Sequence, residues 1–346
     1  MNTTTRMVVL LTALATVLIF ALQMATYGWV VAKYMVVETH ASSTHMRSVD
    51  AKSANPPVFA ELKPLPVVLM HGMGDAAGNS GMKEIRDLTA KTLGTYVVNI
   101  PIGNSVAEDV RNSFFVNMDD QLEIFAKEVR KDPELSNGFN AAGFSQGNLL
   151  IRAYIQRYND PPVYNFISFH GPLAGVGALP QCKPTAFICK EIDRDSLAVL
   201  CHRTEHLAQA NYFRHPLKIH EYLQYAKFLP DLNNEKPTPN ATYKANFIRL
   251  QNLVLIRAKR DTQVFPKDSE WFGAFLDGTY DKILGFNETR WYQEDLFGLQ
   301  TLDRLGRVHF LETDGNHLQF TTKFFLQVVE KYFAPTLAHP VNSYLL

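Results

Sequence analysis

Ser145 stands between two glycines in Gly143-Phe144-Ser145-Gln146-Gly147, a G-x-S-x-G pattern. The spacing suits a nucleophile, because flanking glycines relieve clashes where a strand turns sharply into a helix and leave the hydroxyl exposed. An ordinary tight turn is the plain alternative, and the motif alone does not decide between them. A serine hydroxyl attacks poorly until a histidine takes its proton and a carboxylate orients that histidine. Asp261, in Lys-Arg-Asp-Thr-Gln at 259–263, and His317, in Thr-Asp-Gly-Asn-His at 313–317, follow in the order serine, acid, histidine that a parallel α/β sheet uses. Asp268 is the rival carboxylate, but it lies beyond Pro266 and beside Glu270, where a solvated role is expected. His309, inside an apolar run, and His339, in the tail, read as structural. A tetrahedral intermediate also needs two backbone N–H donors. Gln146, the residue after the serine, and Met73, in the glycine-rich loop His71-Gly72-Met73-Gly74-Asp75, are the candidates.

These residues need a scaffold that brings them together. Continuous apolar runs at 67–70, 96–100, 139–144, 164–169, 253–258 and 308–311 read as strands buried on both faces. Amphipathic stretches at 81–93, 118–130, 149–157 and 320–333 read as helices between and after them. Strand and helix in alternation predict an α/β fold with a mostly parallel central sheet and helices on both faces. Reactive residues gather at the carboxyl ends of such strands, where Ser145, Asp261, His317 and the His71 loop all fall. The regularity breaks between 169 and 253. The intervening segment, about 174–250, is too long for a simple crossover and reads as an inserted helical cap over the site.

Two motifs offer other chemistry. His202-Arg203-Thr204-Glu205-His206 matches H-x-x-E-H, which on a helix sets two histidines on one face for zinc. A third ligand would have to come from His215, His220 or Glu221, so surface histidines on the cap are the preferred reading and no metal is expected. Gly175-Val176-Gly177 lacks the third glycine of a dinucleotide loop and is followed by Pro180. With 34 basic against 34 acidic residues, nothing favours a nucleic acid partner.

The N-terminus points to the secretory pathway. Residues 7–32 carry no charge, longer than a signal-peptide core of roughly 7–15 residues and close to the roughly 20 that span a bilayer. Segment 1–33 therefore reads as a signal peptide or a signal anchor, and 34–63, polar and Ser- and Pro-bearing, as a flexible stem. The catalytic domain is expected at 64–335, with a tail at 336–346. Asn240 and Asn287 head N-x-T glycosylation acceptors. Cys182 and Cys189 could clip a loop in an oxidising compartment, leaving Cys201 unpaired; three buried free thiols are the alternative.

With these residues assembled, 64–333 resembles the palmitoyl-protein thioesterases. The likeness rests on HGMGD (71–75), EDVRNSFFVNMDDQ (108–121), GFNAAGFSQGN (138–148), the LPQC region (179–182), DSEWFG (268–273) and GNHLQ (315–319). It implies an α/β-hydrolase fold with an inserted acyl-binding segment, a lysosomal or secretory lumen, and cleavage of fatty acyl thioesters from the cysteines of S-acylated proteins. It implies Ser145, Asp261 and His317 as triad, Met73 and Gln146 as oxyanion donors, and no cofactor. Tyr212 and Phe213 align with acyl-pocket positions, with plain core aromatics as the equal alternative. Asn148 and Asn316 stand where the family more often has glycine and aspartate. An oxyester lipase or esterase would share every catalytic group, and a silent lipid-binding homologue would share the fold.

Overall fold

The computed structural model describes residues 64–178 and 207–334. Among the described residues, the strands and α-helices before the cap are β1 (Val67–Met70), α1 (Ser80–Leu93), β2 (Val97–Asn99), α2 (Val106–Phe115), α3 (Met118–Lys131), β3 (Phe139–Phe144), α4 (Gly147–Arg157) and β4 (Val163–Phe169). The described part of the cap holds α5 (Ile219–Tyr225), α6 (Phe228–Leu232) and α7 (Ala241–Phe247). There follow β5 (Asn252–Ala258), a small antiparallel ribbon of β6 (Ala274–Phe275) and β7 (Ile283–Leu284), α8 (Arg290–Gln293), α9 (Leu299–Arg304), β8 (Val308–Thr313) and α10 (Thr322–Phe333).

Six strands form one parallel sheet in the order β2-β1-β3-β4-β5-β8. Successive side chains point to opposite faces, so each inner strand feeds two cores. Val67 and Leu69 join Phe144, Phe169, Val254 and Ile256 against α1 and α10. Val68 and Met70 join Phe139, Ala141 and Leu255 against α3 and α4. The inner strands β1, β3, β4 and β5 are almost wholly buried, as their unbroken apolar runs require. Strand β8 departs from that expectation: it is the sheet edge, and Phe310 is 39% exposed.

The helices carry their own stops and starts. Asn117 caps α3 by accepting the Asp120 N–H, with Asp119 and Asp120 in the first turn and Arg130 and Lys131 in the last, each sign matched to the helix dipole. Helix α1 ends where Gly94 takes φ 63°. Helix α2 is absent from the sequence prediction for a physical reason. Its buried positions are polar, Asp109, Asn112 and Ser113, so it has no apolar period to read.

Strand order reverses at β1, with β2 on one side and β3 on the other. The crevice at the carboxyl ends of β1 and β3 is therefore the topological switch point where ligands collect. The cap is tied to the helix beneath that crevice by Arg152 of α4, wholly buried. Its guanidinium donates to the Leu173 and Leu232 carbonyls and to Asn233 Oδ1, and lies against the rings of Phe272 and Phe297.

Segments 1–63, 179–206 and 335–346 lie outside the described residues, and with them the apolar N-terminus, the stem, Cys182, Cys189, Cys201, the H-x-x-E-H stretch and His339. Among the described residues no helix is long and apolar enough to cross a membrane.

Candidate active site

Ser145 follows β3 directly, at φ 52°, a left-handed conformation that a non-glycine residue rarely adopts. Such strain at a strand-to-helix turn lifts the hydroxyl out of the sheet. The flanking glycines are required by close approach. A Cβ on Gly147 would come 2.4 Å from the His71 carbonyl oxygen, and one on Gly143 would come 2.5 Å from Asn148 Oδ1. Asn148 thus fills the space beside Gly143 and braces the turn: its Nδ2 donates to the Ser145 and Phe169 carbonyls, both at 3.0 Å.

The loops after β3, β5 and β8 bring the three predicted side chains into one hydrogen-bonded chain. His317 Nε2 lies 2.8 Å from Ser145 Oγ, and His317 Nδ1 lies 2.6 Å from Asp261 Oδ2. Asp261 Oδ1 accepts the N–H groups of Gln263 and Val264 at 2.6 and 2.7 Å. Burial alone would raise the Asp261 pKa, but the charge and hydrogen bond of His317, helped by Glu270 and the Val264 N–H, hold it well below the usual carboxylate range. Asp261 therefore stays ionised. The rival Asp268 takes no part; it pairs with Arg257 Nη1 at 2.7 Å. His309 bonds Asn252 Oδ1 on the neighbouring strand.

Asn316 clamps the acid loop to the histidine loop. Its Oδ1 accepts the Thr262 N–H at 2.9 Å and the His317 N–H at 2.7 Å. From below, buried His170 at the end of β4 accepts the Leu318 N–H on Nδ1 at 2.8 Å and so donates from Nε2 to Thr313 Oγ1 at 2.9 Å. Burial, with the neighbouring His317, lowers its pKa to about 3. It is neutral, and its ring centroid lies 6.0 Å from that of His317.

Across the crevice, the His71 loop presses on the serine. A Cβ on Gly72 would lie 3.0 Å from Ser145 Cβ. Buried His71 donates from Nε2 to Asp109 Oδ1 and from Nδ1 to the Gly72 carbonyl, both at 3.0 Å. Asp109 also accepts the Ile102 and Ala77 N–H groups. Burial alone would lower the His71 pKa; Asp109, the Gly72 carbonyl and Asp75 outweigh it, and the net shift is upward. Ser113, from the same helix, accepts the Gly74 N–H at 2.8 Å. Among the described residues no protein acceptor takes the N–H of Met73 or Gln146, the two predicted donors.

The cap closes over this loop. Gln209 Nε2 donates to Met73 Sδ. Tyr212 Oη donates to Gln146 Oε1 at 2.9 Å, while Gln146 Nε2 donates to the Ser113 carbonyl at 2.8 Å. Tyr212 therefore stands beside the crevice. Phe213 is buried against His215, edge to face, and Val176 bridges to it through the backbone. Sequence reasoning missed His71, Asp109, His170 and Glu270 as site residues. The quoted EDVRNSFF and DSEWFG motifs contain two of these, but no spacing rule assigns them a task.

A parallel sheet with a serine on a strained turn after β3, a histidine after β8 and an acid after β5 defines an α/β-hydrolase. The model of one family, palmitoyl protein thioesterase, matches residues 66–317. The chain is 39% identical over 276 residues to palmitoyl-protein thioesterase 1 of Caenorhabditis elegans, covering 78% of this chain and 92% of that one. It is 38% identical over 255 residues to palmitoyl-protein thioesterase 3 of Dictyostelium discoideum, covering 73% and 84%. To the lysosomal thioesterase PPT2 homolog of Drosophila melanogaster it is 31% identical over 266 residues, covering 75% and 87%. The chain belongs to the palmitoyl protein thioesterase family and is a thioester hydrolase.

Proposed function

We propose that this enzyme removes long-chain acyl groups, palmitoyl in particular, from protein cysteines through an acyl-serine intermediate. The observation that carries the reading is the Ser145–His317–Asp261 chain, at 2.8 and 2.6 Å, in a member of this family. His317 takes the Ser145 proton as Oγ attacks the thioester carbonyl, and Asp261 holds the imidazolium that forms. The Met73 and Gln146 N–H groups receive the oxyanion. The tetrahedral intermediate collapses to acyl-Ser145, and the cysteine sulfur leaves with the proton from His317. Water, activated by His317, then attacks the ester and releases the fatty acid. Side chains, backbone and water suffice for these steps.

Tyr212, beside Gln146, and Phe213 behind it are read as the cap's contribution to the acyl pocket. A lysosomal or secretory lumen is supported by the names of the relatives, by the uncharged segment 7–32 and by the exposed glycosylation acceptors Asn240 and Asn287. Asn240 caps α7 through Oδ1, which accepts the Thr242 N–H. A glycan on Nδ2 leaves that cap in place.

Palmitoyl-cysteine peptide hydrolysis, set beside its oxygen ester, tests the reading. Ser145→Ala is expected to fold and to show only background turnover, and wild type to prefer the thioester. Retained activity in that variant removes Ser145 from the mechanism, and faster oxyester cleavage makes the protein a lipase or esterase.

A further inference from the structure

Glu270, in the short turn Lys267–Trp271 after β5, is completely buried, the least expected place for a carboxylate. Its Oε2 accepts the Ala258 N–H at 2.7 Å, and no N–H or O–H donor reaches its Oε1. Its carboxyl faces that of Asp261 within hydrogen-bonding reach, and its Oε1 is a buried oxygen without a donor. Two ionised carboxylates offer only acceptors, so a hydrogen bond between them needs a proton on one. Asp261 is already built as the anion, with His317 on Oδ2 and two backbone N–H groups on Oδ1. Glu270 has one donor and an orphaned oxygen.

We propose that Glu270 is a protonated positioning residue that donates from Oε1 to the Asp261 carboxylate, extending the chain to Glu270–Asp261–His317–Ser145. This inference rests on the triad reading above. The extra donor fixes the Asp261 carboxylate against rotation, and through it the tautomer and ring plane of His317, without adding a second negative charge beside the imidazolium. It also satisfies the Oε1 atom that is otherwise a buried acceptor without a partner.

The surroundings agree. Burial pushes the Glu270 carboxyl well above the carboxylate range and Asp261 pushes it further, while the Ala258 N–H and Arg257 pull the other way. Arg257, on β5, is committed to Asp268 and Glu312, both at 2.7 Å, with its guanidinium over the Trp271 ring. From the β8 loop, His317 faces Asp261 rather than Glu270. Of the other charged groups on these loops, Lys259 pairs with Asp314, Arg260 donates to the Asp314 carbonyl and Lys267 donates to the Lys259 carbonyl.

Glu270→Gln is the deciding variant, since an amide keeps a neutral donor and an acceptor in the same outline. With a palmitoyl thioester peptide, kcat is expected within about threefold of wild type at pH 5. The ratio of variant to wild type should climb as pH rises and Glu270 ionises in wild type alone. Glu270→Ala should lose on the order of 10–100-fold in kcat with KM held, the size of one lost positioning contact. An infrared difference spectrum at neutral pH, wild type minus Glu270→Gln, should contain the carbonyl stretch of a protonated carboxyl. That readout needs no turnover and stands even if Ser145 proves not to be the nucleophile or Glu270→Ala fails to fold. A Glu270→Gln enzyme as damaged as Glu270→Ala at pH 5, or a difference spectrum showing only an ionised carboxylate, overturns the proposal.

Discussion

Two histidines border the crevice at strand ends, His71 after β1 and His170 after β4, and burial treats them alike, at 2% and 0% exposed. Their partners do not. His71 faces two acceptors, the Asp109 carboxylate and the Gly72 carbonyl, and its pKa is raised. His170 faces an N–H on one nitrogen and a hydroxyl on the other, and its pKa falls to about 3. Desolvation is the largest influence on both and pulls both toward neutrality; Asp109, with the Gly72 carbonyl and Asp75, reverses the outcome at His71. The His71 side of the crevice is thus held by a buried ion pair and the His317 side by a neutral imidazole. Charge on His71 is tolerated because α2 contributes Asp109, whereas a charge on His170 would sit buried beside His317 with no anion hydrogen-bonded to it.

The comparison breaks most visibly at the ion pair. Asp109→Ala leaves His71 buried without its anion and should cost about 3–5 kcal/mol, measured by urea unfolding. A loss under about 1 kcal/mol would mean His71 is neutral and the contrast false. His170→Ala strands the Leu318 N–H and should cost about 1–3 kcal/mol. It should also lower kcat more than it changes KM, because the His317 loop loses its support.

pH sharpens the contrast in opposite directions. His71, with a raised folded pKa, stabilises fully below about 6.5, and that contribution is lost as pH rises through the folded value. His170, with a depressed folded pKa, stabilises above about 6.5, and its contribution is lost as pH falls from there toward about 3. Its share of the acid slope is about 1.4 kcal/mol per pH unit, which His170→Asn should remove while its amide oxygen still accepts the Leu318 N–H. An unchanged acid slope in that variant would assign the loss to other groups. Thr313→Val strands the His170 Nε2–H alone, and about 1–3 kcal/mol is expected with KM and kcat less affected than in His170→Ala.

Much of the fold was legible because inner parallel strands are apolar on both faces and leave unbroken runs. Where that condition lapses, so does legibility. Helix α2 hides its buried face behind Asp109, Asn112 and Ser113, and β8 is partly solvated at the sheet edge. The choice of Asp261 over Asp268 rested on one position relative to a strand end, and Arg257 holds Asp268 away from His317. Asn148, visible in sequence only as a departure from glycine, proves to be a brace that ties the Ser145 turn to the end of β4.

The sequence by itself determined the sheet, the order of serine, acid and histidine, and the kinship to the thioesterases, because periodicity and motif spacing are local along the chain. Only the tertiary structure decided which histidine is paired with a carboxylate, which carboxyl faces Asp261 and which cap residue reaches Gln146. The histidine pairing and the cap contact join residues 38 and 66 positions apart, and Glu270 meets Asp261 only through the turn that folds back on β5. A protonation state depends on partners and burial, and neither is written in the neighbouring letters.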